Sequence, residues 1–145
     1  MLVTSDPHGD TVFLRRAVGY LNDMPCFDCG VTLGDMQINT FSENDATWYT
    51  SIILHSTKDW FTVIGNHDVG MGATIADTGT NTQVYDKFIA PNLLCCGVTP
   101  NNTNYYYKDY STYKIRVICL NCYDVDNNDT SGSNYVVNRY TEYYS

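Results

Sequence analysis

The stretch FTVIGNHDVG, residues 61–70, joins a run of β-branched and aromatic side chains to a tip of glycine, asparagine, histidine and aspartate. A short apolar run that ends in turn-forming residues is typical of a buried β-strand. Two earlier stretches have the same form, LVTSD at residues 2–6 and CGVTLGD at residues 29–35. We therefore predict three buried strands, each followed by a polar tip.

The segments between these strands have helical patterns. Within residues 11–23, Phe13, Ala17 and Leu21 have helical spacing and predict an apolar face, and Asp10 stands where an N-cap is expected. Residues 46–58 follow a second capping residue, Ser42. Strands that alternate with helices predict an α/β fold with a parallel sheet.

The second half of the chain does not continue the alternation of apolar strands and helices. Residues 83–90 predict a short helix that ends before Pro91, and the tyrosine-rich residues 104–125 predict an antiparallel hairpin. Residues 70–82 and 126–134 are polar and predict loops. Neither a repeat nor a linker divides the chain, so we expect residues 1–145 to form a single domain.

Composition narrows the possible partners. The net charge is −8, and eight basic residues are too sparse for a phosphate-binding surface, so nonspecific nucleic-acid binding is not expected. An acidic chain attracts divalent cations, although solubility explains the charge equally well. No apolar run reaches the roughly 18 residues of a membrane span, and no signal peptide is visible. We therefore expect a cytoplasmic protein with no membrane partner.

Six cysteines raise the question of a zinc site. Cys26 with Cys29, and Cys119 with Cys122, form two C-x-x-C pairs, but about 90 residues separate the pairs. That gap is far longer than in zinc ribbons, and Cys29 and Cys119 lie in apolar runs. Buried free thiols are therefore the preferred interpretation. A zinc-ribbon protein stays open as an alternative, and it predicts loss of one zinc ion when Cys26 or Cys119 is replaced.

The three polar tips predict a metal site. The carboxyl ends of neighbouring parallel strands meet at one edge of a sheet, where ligands bind in open α/β folds. The tips would bring together two carboxylates, two imidazoles and one amide, from Asp6, His8, Asp35, Asn66 and His67. This mixed set of oxygen and nitrogen donors suits manganese, iron or zinc.

The order D-x-H, G-D and G-N-H-D over residues 2–69 resembles the signature of the calcineurin-like metallophosphoesterase family. The resemblance implies a layered β-sheet sandwich with flanking helices and a site for two divalent metal ions. It also implies hydrolysis of a phosphate mono- or diester by a metal-activated water. The substrate partner would then be a phosphoester.

The same resemblance implies a role for each residue of the three tips. The ligands of the two ions would be Asp6, His8, Asp35 and Asn66, with Asp35 bridging the ions. His67 would act as general acid or transition-state donor, and Asp68 would orient its ring. Residues 36–39, directly after Asp35, contain neither an acidic residue nor an arginine, which argues against the Ser/Thr protein phosphatase branch and leaves the ester class open.

The chain departs from the family pattern in its histidines. The family supplies further histidine ligands from its second half, whereas this chain has only His8, His55 and His67. His55 falls in the predicted second helix and is expected to be a packed or half-exposed helix residue and not a ligand. One explanation is that the chain is the amino-terminal part of a longer enzyme, incomplete at its C-terminal side, with an exposed sheet edge. The other is a noncatalytic phosphoesterase-like binding or structural module within a larger assembly.

Overall fold

A computed structural model describes residues 1–37, 42–68 and 81–121 of the chain. The fold is mixed α/β, with a small parallel sheet, a small antiparallel sheet and helical segments. The strands are β1 (Leu2–Thr4), β2 (Cys29–Thr32), β3 (Asp59–Thr62), β4 (Tyr106–Tyr110) and β5 (Ile115–Cys119). The helices are α1 (Thr11–Asp23), α2 (Glu43–Ile53), α3 (Asn81–Val84) and α4 (Ala90–Cys95).

The first three strands form the parallel sheet that the alternating pattern predicts. Their order is β1-β2-β3, and the register aligns Thr4 with Thr32 and Thr32 with Thr62. All three strands therefore end at the same level, and the chain leaves each of them at the same edge. The antiparallel hairpin of β4 and β5 is also confirmed.

Helix α1 has the predicted bounds, and its buried face agrees with the predicted one in part. The Asp10 side chain accepts a hydrogen bond from the amide of Phe13 (2.9 Å), which confirms the predicted cap. Phe13 itself is 42% exposed, whereas the buried positions are Leu14, Val18 and Leu21. The predicted packed face is therefore wrong at Phe13, whereas Leu21 is buried as predicted and Ala17 packs against the core. Leu14, the residue after Phe13, is buried instead, in the same core cluster as Val18 and Leu21.

Helix α2 begins and ends earlier than predicted. The Ser42 side chain accepts from the amide of Asp45 (3.2 Å), so the helix starts at Glu43. It ends at Ile53, and the Ser56 hydroxyl donates to the carbonyl of Lys58 (2.7 Å) in the turn that leads into β3. The prediction of a helix over residues 46–58 is therefore too long at its end, because the chain must turn to enter the sheet.

The helical segment after residue 80 continues through Pro91, contrary to the prediction. Residues Tyr85–Ile89 form a π-helical turn between α3 and α4. Pro91 then stands in the first turn of α4, where its missing amide hydrogen is not needed. Of the predicted loop at residues 70–82, positions 70–80 lie outside the described residues. Asn81 already belongs to α3.

The outer edge of β3 is covered. On the side of the strand away from β2, the Tyr106 hydroxyl accepts from the amide of Thr62 (2.8 Å) and donates to its carbonyl (2.9 Å). The Cys96 thiol donates to the carbonyl of Trp60 (3.3 Å). Main-chain groups at this edge are thus hydrogen-bonded, so the expectation of an exposed edge is wrong for this strand.

The sheet lies between α2 and the hairpin. The Tyr49 hydroxyl of α2 lies 2.9 Å from the Thr62 hydroxyl, and burial raises the pKa of Tyr49 to about 12. Phe61 points to the other face, because successive side chains of a strand alternate, and it stacks on Tyr106 of β4. The ring of Tyr110 contacts Phe61 edge-on.

Two further predictions concern the cysteines and the membrane. Cys29 and Cys119 are buried free thiols, as expected, and Cys26 is exposed. Cys122 and the predicted loop at residues 126–134 lie outside the described residues. Within the parts of the chain that the structure describes, no helix has the length and apolar character needed to cross a membrane.

Candidate metal centre

The tips after β1 and β2 are joined by main-chain hydrogen bonds. The amide of Asp6 donates to the carbonyl of Gly34 (3.2 Å), and the amide of His8 donates to the carbonyl of Asp35 (3.1 Å). The pairing between the two strands therefore continues past their ends. This holds the Asp6 and His8 tip beside Asp35.

Three of the residues expected to bind metal have a left-handed backbone. The φ angles are 51° at Asp6, 42° at His8 and 56° at Asp35. Residues other than glycine rarely adopt this region, and such conformations cluster at functional sites. The backbone strain therefore coincides with the side chains that the sequence singles out.

Asp68 links the tip after β3 to the tip after β2. Its fully buried carboxylate accepts from the amides of Asp35 (2.9 Å) and Gly65 (2.8 Å) through Oδ2. Through Oδ1 it accepts from the amides of Met36 (2.7 Å) and Gln37 (3.1 Å). Burial raises the pKa of Asp68 to about 7, while these donated hydrogen bonds act in the opposite direction.

This arrangement bears on the expected role of Asp68. A carboxylate offers about four lone-pair sites, and four backbone amides occupy them. The structure therefore uses Asp68 to hold the backbone of two tips together. The expectation that Asp68 orients the ring of His67 gains no support from these contacts.

The two glycines of the motif allow the tips to approach closely. A Cβ atom at Gly65 would lie 2.2 Å from Oδ1 of Asp35, and a Cβ atom at Gly34 would lie 2.6 Å from the backbone of Gly65. Gly34 also has a φ of 96°. Gly34 therefore serves both the turn and the contact, whereas Gly65 is needed for space beside the carboxylate.

The tips bring His8, Asp35 and His67 together. One ligand atom from each side chain, a ring nitrogen or a carboxylate oxygen, lies within 4.8 Å of the other two. The two imidazole rings meet edge to face, with centroids 4.7 Å apart. Among the histidine, cysteine and acidic side chains that the structure describes, these three are the ones close enough together to bind one metal ion.

Asp6 lies at the exposed rim of this cluster. Its Oδ1 is 3.7 Å from Nε2 of His8, and its side chain is 56% exposed. The Ser5 hydroxyl donates to its carboxylate and holds the pKa of Asp6 below its usual range, and Asp35, His8 and His67 act in the same direction. Asp6 is thus placed to bind a cation from the solvent side.

The remaining candidates differ in position. Asn66 is half-buried in the turn that carries His67, one residue before it. Its role as a ligand stays a prediction. His55 lies beyond the end of α2 and is exposed, so the expectation of a helix residue is wrong, although its place outside the cluster agrees with a nonligand role.

Gln37 is a residue that sequence reasoning missed. Its carbonyl oxygen lies 2.9 Å from Nδ1 of His8, and its side chain is fully buried. Its Oε1 accepts from the amide of Ser42 (2.5 Å), which ties the tip to the start of α2. The sequence offers little signal for this role, because a main-chain carbonyl acts on His8 and every residue has one.

Comparison with models of known protein families finds no match, and comparison with curated proteins finds none either.

Proposed function

We propose that this protein hydrolyses a phosphate mono- or diester with the help of divalent metal ions, using water as the nucleophile. The main support is the convergence of Asp6, His8, Asp35 and His67 at the carboxyl edge of three parallel strands. Carboxylates and imidazoles within reach of one another suit manganese, iron or zinc. The resemblance to calcineurin-like metallophosphoesterases points to the same chemistry.

The proposal includes the fold and ligands that the resemblance implies. The parallel sheet with α1 and α2 would be the first part of a layered β-sheet sandwich, and the hairpin of β4 and β5 would belong to its second layer. Asp6, His8, Asp35 and Asn66 would hold two ions. When bound, such ions lower the pKa of water and stabilise the charge that develops on the phosphoryl oxygens.

The chain's own groups would assist the reaction in two ways. The His67 ring lies against the His8 ring, and in this proposal it would donate a proton to the departing ester oxygen. Asp35 accepts the main-chain hydrogen bond of His67 (3.0 Å), which holds that tip beside the carboxylate. Asp68 is a positioning residue for both tips.

Hydrolysis of p-nitrophenyl phosphate and of bis(p-nitrophenyl) phosphate tests this function. We expect release of p-nitrophenol by the full chain with added Mn²⁺ and no release with a chelator. Asp35→Ala should abolish the activity, and His67→Ala should lower it by about 100-fold or more. His55→Ala is the matched control, since this exposed histidine lies outside the cluster.

Two results would overturn the proposal. One is the absence of turnover with Mn²⁺, Fe²⁺ and Zn²⁺ alike. The other is turnover that persists in Asp35→Ala, because the Asp35 carboxylate lies between the first tip, at His8, and the third tip, at His67.

A noncatalytic module is the second candidate, and exposed apolar side chains favour it. Val3, Leu33, Ile115, Ile118 and Leu120 are each at least half exposed. Exposed apolar surface often marks a contact with another protein. A chain that binds no metal, yet associates stably with a partner through these residues, would support this candidate over the hydrolase.

A further inference from the structure

The resemblance assigns His67 to proton transfer, but its position in the structure suggests another role. His67 is one of three side chains whose ligand atoms lie within 4.8 Å of one another, with His8 and Asp35. The other two are metal ligands in the proposed function. The ring of His67 can therefore reach the same ion as His8 and Asp35, and the ring nitrogen that binds an ion has no proton to give to a leaving group.

His8 is oriented so that one ring nitrogen is available. Its Nδ1 lies 2.9 Å from the carbonyl oxygen of Gln37, which accepts a proton and cannot donate one. The neutral ring therefore carries its hydrogen on Nδ1 and leaves the lone pair on Nε2. Metal-bound histidines have this arrangement, in which a carbonyl oxygen fixes the ring and its tautomer.

The support behind His8 is rigid. Gln37 is fully buried, its amide donates to Asp68 (3.1 Å), and its side chain accepts from the amide of Ser42 (2.5 Å). The carbonyl that holds the His8 ring is thus fixed from two directions. A fixed ring lowers the entropy that would be lost when an ion binds.

Asp35 and His67 are fixed relative to each other. The amide of His67 donates to Oδ1 of Asp35 (3.0 Å), which leaves the second carboxylate oxygen for a ligand bond. The edge-to-face contact of the two histidine rings, at an angle of 86°, sets the third donor beside the first.

From these contacts we propose that His8, Asp35 and His67 form a site for a single transition-metal ion, with His67 as a ligand. The proposal rests on the metal dependence of the proposed function and changes its centre from two ions to one. Two imidazoles and one carboxylate suit Zn²⁺ or Fe²⁺ and leave positions open for water and a phosphoester. Asp6, at the rim, is a further oxygen donor on the solvent side.

The spacing fits such an ion after a small movement. Ligand atoms about 2.1 Å from an ion lie roughly 3.0–3.5 Å apart around it. The donors now lie within 4.8 Å, so side-chain rotations of about 1 Å bring them into range. The His8 side chain is 39% exposed, which leaves a path for the ion and for water.

Equilibrium dialysis of the full chain against Zn²⁺ and Co²⁺ tests the stoichiometry. We expect one ion per chain, and a loss of affinity of about 100-fold or more in His67→Ala. His55→Ala should bind as the wild type does. The visible absorption of bound Co²⁺ should show the d–d bands of a nitrogen and oxygen site, and these should be absent in His67→Ala.

A second measurement needs no variant and so cannot fail through misfolding. Zn²⁺ should shift the imidazole ¹⁵N resonances of both His8 and His67 and leave those of His55 in place. If His67 keeps its resonances while His8 shifts, or if His67→Ala still binds two ions per chain, the single-ion site is wrong and the two-ion hydrolase stands. No binding of either metal by the wild type overturns both. One bound ion without ester hydrolysis supports the site and overturns the proposed function alone.

Discussion

Asp6, His8 and Asp35 adopt left-handed conformations that cost of order 1–3 kcal/mol each for residues with side chains. Their amides donate to main-chain carbonyls or to the Asp68 carboxylate, so each strained residue is held by a hydrogen bond of its own. In the described residues, the other nonglycine positions with positive φ are Asn102 and Lys114, outside this site. The strain at these three residues, in the first and second tips, therefore calls for a functional explanation, and ligand placement supplies one.

Gly65→Ala is the most local test of this site. The new Cβ would lie 2.2 Å from Oδ1 and 2.5 Å from the amide nitrogen of Asp35, so the tip must shift. We expect a loss of about 1–3 kcal/mol in the free energy of unfolding, measured by urea denaturation. Displacement of Asp35 should also weaken Zn²⁺ binding by roughly 10- to 100-fold.

Gly19→Ala is the matched control for that substitution. Gly19 lies within α1, and a Cβ there would meet nothing within 4 Å. The free energy of unfolding should rise by about 0.5–1 kcal/mol, because alanine favours a helix interior. Unchanged Zn²⁺ affinity in Gly65→Ala would contradict the placement of Asp35 in the site.

At the scale of elements, the outer edge of β3 decides how the hairpin packs. One tyrosine hydroxyl bonds both main-chain groups of Thr62, and the same ring stacks on Phe61 with centroids 6.3 Å apart. A strand edge normally pairs with another strand or stays exposed. Here a side chain from β4 replaces the missing neighbour, so the hairpin and the parallel sheet stabilise each other.

Tyr106→Phe tests this contact. The substitution keeps the ring and removes only the hydroxyl, which leaves the buried amide and carbonyl of Thr62 without that partner. We expect a loss of about 1–3 kcal/mol in the free energy of unfolding, measured by urea denaturation. Tyr107→Phe on the same strand is the control, since Tyr107 is 53% exposed, and its stability should change by about 0.5 kcal/mol or less. Equal stabilities of the two variants would show that the edge contact contributes nothing.

At the scale of the whole molecule, the site depends on three strand exits held at one edge. Main-chain bonds join the first exit to the second, and Asp68 joins the second to the third. The cluster at His8, Asp35 and His67 thus combines residues from each of the three exits. Its geometry is a property of the assembled sheet, because no single tip carries all three donors.

Asp68→Asn tests this link. Each carboxylate oxygen accepts two amides, so either orientation of the asparagine places its NH₂ group against two backbone donors. We expect a loss of about 3 kcal/mol in the free energy of unfolding, measured by urea denaturation followed by circular dichroism. Zn²⁺ affinity should fall as well, because the tips separate. Asp109→Asn is the control, because Asp109 forms an exposed ion pair with Arg116, and its unfolding midpoint should not change. A similarly small effect of Asp68→Asn would mean that the tips hold together without the Asp68 carboxylate.

The order of elements could be predicted from the sequence, because apolar periodicity and capping residues are local signals. Asp10 and Ser42 cap the helices where the pattern places them. The prediction was wrong at Phe13, because the buried side of a helix depends on what packs against it, and at the end of α2, because the chain turns there to enter β3. Periodicity locates a helix more reliably than it locates the helix surface that is buried.

The sequence by itself determined the three apolar strands, their polar tips and the identity of His8, Asp35 and His67 as candidates. The tertiary structure decided which tip atoms meet, that Asp68 binds backbone amides, and that the carbonyl of Gln37 holds the ring of His8. The physical reason is that strand propensity and turn chemistry act between neighbours in the chain. Contacts between tips that are about 30 residues apart depend on the register of the sheet, which forms only when the strands pair.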